Sequence, residues 1–203
     1  APIFNPTSGV QISILIVAVS LIYYLLARKL FKNDDIMQIG FFSLLMILVI
    51  TIDSAISTPL MQSNIMSYDP MIGARYYGVG NEYEGVTIGS AILGFAVLVE
   101  REKIPKWLTA ILLAIILFIS AYPGMGANVG GAISECIAYL AFVLLIYDVR
   151  IDFKKSMMIL IITALLVVVF AGADIMLGME SHLGNFVEQI RINGPMEVVY
   201  VFG

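Results

Sequence analysis

Apolar residues run along this chain in long blocks, and the gaps between charged residues mark where each block stops. Six are drawn this way, roughly 10–27, 36–58, 83–99, 107–122, 129–147 and 157–178. A membrane-crossing helix needs about 20 predominantly apolar residues, so each block predicts one span, the fourth being short. The fold class that follows is all-α, a polytopic integral membrane protein of about six transmembrane helices. Residues 1–179 are expected to form the six-span membrane domain. Residues 180–203 are expected to form an extracytoplasmic amphipathic or interfacial segment that continues into a further region, because Met196 to Gly203 ends in an apolar run.

The polar pieces between the blocks alternate in charge. Arg28, Lys29 and Lys32 follow the first block, Arg101, Lys103 and Lys106 the third, and Arg150, Lys154 and Lys155 the fifth, which puts nine of the eleven Lys/Arg on one side. Only Arg75 and Arg191 fall on the other. Lys/Arg bias in short loops sets orientation, so the nine are expected to be cytoplasmic and both termini extracytoplasmic. The chain opens Ala1-Pro2-Ile3-Phe4, with neither Met nor a basic leader, and is expected to be a piece of a longer protein.

Composition agrees with the block pattern. At 60% hydrophobic and 13% charged, the chain is far from the roughly 25% charged residues of a soluble domain. A net charge of -4, with no basic run longer than Arg28-Lys29, excludes nucleic acid as a partner. One cysteine, Cys136, excludes an intrachain disulfide and a thiolate cluster. The chain lacks a G-x-S-x-G elbow, an H-E-x-x-H pair, a Walker loop and a second histidine, so ATP hydrolysis, hydride transfer and a zinc centre are not expected. No metal ligand set is assigned, although hard cations accept Asp and Glu oxygens. The cofactor is unknown.

The candidate chemistry lies on the extracytoplasmic side. Two glycine segments match at an offset of 46 residues, with Gly78, Gly80 and Gly85 falling on Gly124, Gly126 and Gly131. Either the match is chance, or 76–121 and 122–167 form a parallel repeat with a site at its interface. In both places glycine-rich backbone feeds the start of a helix, whose free N–H groups and positive dipole end favour an anion. Gly80 and Gly126 are therefore expected to tolerate no β-branched side chain. Asp53, Glu84, Glu135 and Asp174 stand at membrane depth, where an ionised side chain costs about 2.5–3.5 kcal/mol. Each has a plainer reading. Asp53 could serve helix bonding through Ser54, Ser57 and Thr58, Glu82 and Glu84 could be ordinary acids at a helix start, and His182 could be an interfacial histidine. Asn128 lies seven residues before Glu135, on the same helix face. Small residues Gly85, Gly89, Ser90 and Gly94 predict close helix contact.

The run Tyr68 to Tyr83, containing Gly73-Ala74-Arg75-Tyr76-Tyr77-Gly78-Val79-Gly80-Asn81-Glu82, joins Pro123 to Gly131 and Ser181-His182-Leu183-Gly184 in a resemblance covering most of the chain. With these motifs the sequence resembles an uncharacterised family of bacterial multi-pass membrane proteins whose members carry an upstream extracytoplasmic domain like alkaline phosphatases or sulfatases. The resemblance implies the bacterial cytoplasmic membrane and such an upstream domain, and no activity.

The expected function is an outward-facing, glycine-lined polar pocket that binds a phosphate-bearing cell-envelope or lipid-linked substrate. Asp53, Glu82 and Glu84 are the candidate catalytic acids. Arg75, Tyr76, Gly78, Gly80, Asn81, Gly126, Asn128, Glu135 and His182 are the candidate substrate contacts. The alternatives are a transporter or flippase, and a membrane anchor or assembly scaffold. Membrane lipid is the expected partner in all three.

Overall fold

A computed structural model describes residues 9–32, 34–61 and 78–177, with side chains at all of these except 171 and 174–177. Six helices follow one another: α1 (Gly9–Phe31), α2 (Asp35–Ala55), α3 (Asn81–Glu100), α4 (Lys106–Ala121), α5 (Val129–Ile146) and α6 (Phe153–Leu177). No strand occurs among the described residues. Five of the helices are long and apolar enough to cross a membrane, and α4, at 16 residues, is shorter. This is the architecture of a multi-pass helical membrane protein.

The helices end where backbone geometry ends them. α2 stops at Ala55, three residues before its apolar block does, because Ser57 takes a left-handed φ of 67° and the Thr58 N–H turns back to the Asp53 carbonyl at 2.8 Å. α1 instead runs on to Phe31, past the charge at Arg28, whose guanidinium lies over the Tyr24 ring one turn earlier.

α2 and α3 form the tightest pair. A Cβ on Gly40 would lie 2.7 Å from Val97, and one on Gly94 would lie 2.9 Å from Leu44, so two glycines let the backbones approach as small residues do in lipid, where packing replaces hydrophobic drive. Gly85 and Gly89 face open space and contribute nothing to that contact. α4 and α5 complete the core around Ile47, Ala91, Phe95, Leu113, Ile116, Tyr139 and Phe142. α1 lies at the edge against α2, with Ala27 its one buried residue.

The bundle has two unlike ends. One carries the basic loops, where Arg101 pairs with Asp34 at 2.9 Å, Lys106 with Asp148 at 3.6 Å and Lys155 with Asp152 at 2.9 Å. The other, the glycine end, holds the turn after α2 and the starts of α3 and α5. All described Lys and Arg residues lie at the basic end.

Candidate functional site

At the glycine end two turns lean on each other. The Val79 N–H donates to the Gly126 carbonyl at 2.6 Å. Gly78 has a φ of +88°, and a Cβ there would stand 2.5 Å from that carbonyl, so this close approach requires glycine. Gly126 is confined in turn, since its Cβ would meet the Ser120 carbonyl at 2.5 Å and the Ser120 Cα at 2.7 Å. Backbone contact, not ligand approach, accounts for glycine at both positions. Gly80 differs, with an ordinary φ of -73° and only the mobile Glu82 carboxylate near its missing Cβ.

Beneath the turns lies a cluster of polar side chains drawn from three helices. Asn128 caps α5: its Oδ1 accepts the Gly131 N–H at 2.9 Å, and its Nδ2 donates to Glu84 Oε2 at 3.1 Å. The Glu84 carboxylate thus sits at the α5 N-terminus, where the helix dipole favours negative charge. Gly131 makes room for it, because a Cβ there would fall 2.6 Å from Glu84 Cγ and Cδ. Seven residues after Asn128, on α5, Glu135 Oε1 accepts the Tyr139 hydroxyl at 2.8 Å and the Ser120 hydroxyl at 3.4 Å.

Gly131, against which the Glu84 side chain lies, is one helical turn before Glu135 on α5, so the two carboxyl groups belong to one buried cluster. Two carboxyl groups can bond only with a proton between them, as neither carboxylate donates. No donor among the described residues reaches Glu135 Oε2. The described Lys and Arg all lie at the other end of the bundle. The cluster is closed: Glu84, Asn128 and Glu135 are 4%, 1% and 0% exposed. On the basic side the apolar core of Phe95, Leu113 and Phe142 seals it, and on the other side the glycine turns do.

The other expected site residues are placed differently. Asp53 is buried apart from the pair, and its two oxygens accept the backbone N–H groups of Leu60 and Met61 at 2.8 and 3.1 Å. It closes the turn after α2 through backbone N–H groups, not through Ser54, Ser57 and Thr58 as its plainer reading had it. Asn81 and Glu82 are exposed at the start of α3. Arg75, Tyr76 and His182, with the segment 180–203, lie outside the described residues, as does the Asp174 side chain. Glu84, Asn128 and Glu135 therefore meet, but in a closed cluster instead of around an open pocket. An open hollow of about 410 Å³ lies elsewhere, at the basic end, lined by Val99 and Glu102 to Lys106.

Three members of the cluster were not expected. Tyr139 is one turn beyond Glu135, a spacing that puts both on one face, so the sequence carried a signal for it. Ser120 carried none, being at the far end of another helix. Gly131 was visible as a glycine of the matched segments, but not as the gap that admits Glu84. Compared with protein-family models, curated proteins and solved structures, the chain matches none.

Proposed function

We propose that this is the ion-exchanging membrane domain of a transporter or flippase, with the Glu84–Glu135 pair taking up and releasing a proton. The observation that carries the reading is the burial of two carboxyl groups, Glu84 and Glu135, in one polar cluster that is closed off at both ends. Ionisable groups at membrane depth are expensive and mark ion paths. A site sealed by an apolar core on one side and by a seam of turns on the other is an occluded state, and opening either seal would give access to one aqueous face. The domain sits with six spans in the bacterial cytoplasmic membrane, the glycine end and both termini outside, by the Lys/Arg split.

A second reading keeps the one-sided site for a phosphate-bearing envelope or lipid-linked substrate. It is favoured by the exposed start of α3, where Gly80 makes no side-chain cap and Asn81 and Glu82 face outward, with Arg75 as the expected anion clamp. It is the weaker of the two because catalysis of transfer or hydrolysis needs an acid within reach of substrate. Of the three candidates only Glu82 is exposed, while Asp53 is tied to backbone and Glu84 is sealed in.

Infrared difference spectroscopy across a pH step tests the favoured reading. The parent protein should show a protonated-carboxyl band that bleaches on alkalinisation and is missing from the Glu84→Gln/Glu135→Gln double variant. Identical difference spectra in the two proteins would reject it.

A further inference from the structure

The helices fall into two halves, α1–α3 and α4–α6, and what joins them differs between the two ends of the bundle. Among the described residues, every ion pair, ring contact and hydrogen bond at the basic end stays within one half. Arg101 ties the end of α3 to Asp34 at the start of α2. Lys106 ties α4 to Asp148 and to the Tyr147 ring after α5, and Lys155 pairs with Asp152 where α6 begins. The close approaches of Gly40 to Val97 and of Gly94 to Leu44 likewise hold α2 to α3 inside the first half.

At the glycine end the contacts cross from one half to the other. The Ser57 hydroxyl donates to the Gly124 carbonyl at 3.1 Å, the Val79 N–H to the Gly126 carbonyl at 2.6 Å, and Asn128 Nδ2 to Glu84 Oε2 at 3.1 Å. Gly78 against Gly126 and Gly131 against Glu84 bring the halves together there with no room for a Cβ. Nearer the basic end the boundary is apolar, with Ile47, Ala91 and Phe95 of the first half packed against Leu113, Ile116 and Phe142 of the second. The hollow lined by Val99 and Glu102 to Lys106 lies on the same boundary, where α3 passes into α4.

We propose that the protein opens at its basic end, the two halves parting along this apolar face while the glycine end holds as the pivot. The inference deepens the transporter reading above, on which it rests for what the opening serves, by naming the seal that yields in this step. Apolar contacts between membrane helices have no hydrophobic drive behind them, whereas an unsatisfied backbone group in the bilayer is costly. The boundary is therefore weakest where only apolar side chains cross it. A rotation of about 10° over the roughly 30 Å of a 20-residue helix parts the basic ends by about 5 Å, enough for a water of about 1.4 Å radius. The connection 101–105 permits this, since five residues extend to about 17 Å against about 8–10 Å between packed helix axes. The polar cluster lies on the boundary, with Glu84 in the first half and Asn128, Glu135 and Tyr139 in the second. Parting the core would uncover the Tyr139 hydroxyl and, through it, Glu135.

The test is the distance between paired spin labels on the full chain in lipid nanodiscs, measured by double electron–electron resonance in acidic and alkaline buffer. Ile36→Cys/Leu145→Cys spans the boundary at the basic end, Ile52→Cys/Ile133→Cys spans it toward the glycine end, and Ile36→Cys/Leu93→Cys stays within the first half. All five positions are exposed on the helix surface, and native Cys136 is buried. The Ile36/Leu145 pair should show a second component longer by about 5 Å, and the other two pairs a single distance each. Phe142→Leu, which thins the apolar face and removes no hydrogen bond, should enlarge the longer component; if that variant does not fold, the parent decides alone. A single Ile36/Leu145 distance at both pH values, in parent and variant alike, overturns the proposal. So does a split of equal size in the Ile52/Ile133 pair, which would open the pivot, or in the Ile36/Leu93 pair, which would break up the half. A longer component in a protein without the proton-linked infrared band keeps the opening and removes the ion-exchange reading. The band without the longer component removes the opening and leaves that reading in place.

Discussion

At Gly131 the missing side chain admits another residue's carboxylate, and three glycines of this end separate by what surrounds them. Around Gly131 the crowding atoms are the flexible Glu84 side chain and the Asn128 amide. Alanine there favours the helix by about 1 kcal/mol, offsetting much of the cost of moving them. Gly131→Ala should therefore fold, melt close to the parent and lose the Glu84–Glu135 carboxyl bands. Gly126 is crowded by backbone, which cannot swing aside, so Gly126→Ala should destabilise by about 1–3 kcal/mol. Gly80→Val should stay within about 0.5 kcal/mol of the parent, because only the end of the exposed Glu82 side chain stands near its missing Cβ. The expectation that Gly80 and Gly126 would be equally intolerant thus divides along what each one touches. Melting of all three variants checks the series, and a Gly80→Val protein that melts as low as Gly126→Ala would contradict it. Residue types and helical spacing were enough to single out Glu84, Asn128 and Glu135. That Glu84 crosses to α5 while Asp53 turns back to its own loop depends on tertiary packing, of which one chain's pattern carries no trace.

At the scale of the element, the apolar blocks located every helix and missed its ends by up to four residues. The reason is physical. α2, α3 and α5 close with left-handed residues at Ser57, Glu102 and Asp148, none of them the glycine that would advertise a stop. The Lys103 N–H returns to the Leu98 carbonyl and the Val149 N–H to the Leu144 carbonyl, so the motif is complete without the usual residue. The matched glycine segments also differ in use, since Gly131 admits Glu84 whereas its counterpart Gly85 meets nothing. The start of α6 carries a signal of another kind. Asp152 accepts the Lys155 N–H at 2.9 Å and pairs with its ammonium. The Lys155 side-chain hydrogen bond, foremost, holds the Asp152 carboxyl below its ordinary 3.8. A carboxyl lowered by folding stabilises fully above its ordinary value and loses that contribution as pH falls through the lowered one. The protection factor of the Lys155 amide against hydrogen exchange should drop in acid below that range. Asp152→Asn, which keeps the cap oxygen without the charge, should flatten the pH dependence. A parent amide with flat protection through acid would show that the carboxylate does not hold this turn.

For the whole molecule, the order of charged loops places the nine described cations at one end, and the fold agrees, since each lies at a helix terminus of that end. On the proposed ion-exchange reading, which face of the membrane that end occupies decides how ions would reach the pair. Glu135 is the seventh residue of α5, about 9 Å along the axis from the glycine end at 1.5 Å per residue. From the basic end it lies behind the apolar core. With the glycine end outside, an external ion needs only the seam between Val79 and Gly126 to part, whereas a cytoplasmic one needs the core to separate. Single cysteines at Asn81, Lys103 and Lys154 test the orientation, and native Cys136, being buried, leaves the background silent. A membrane-impermeant maleimide applied to intact cells should label Asn81→Cys, and should label Lys103→Cys and Lys154→Cys only after permeabilisation. The reverse pattern would invert the protein and make the seam a cytoplasmic gate. Outside labelling at both Asn81→Cys and Lys103→Cys would mean that α3 does not cross, which would remove the membrane depth that makes two buried carboxyl groups costly.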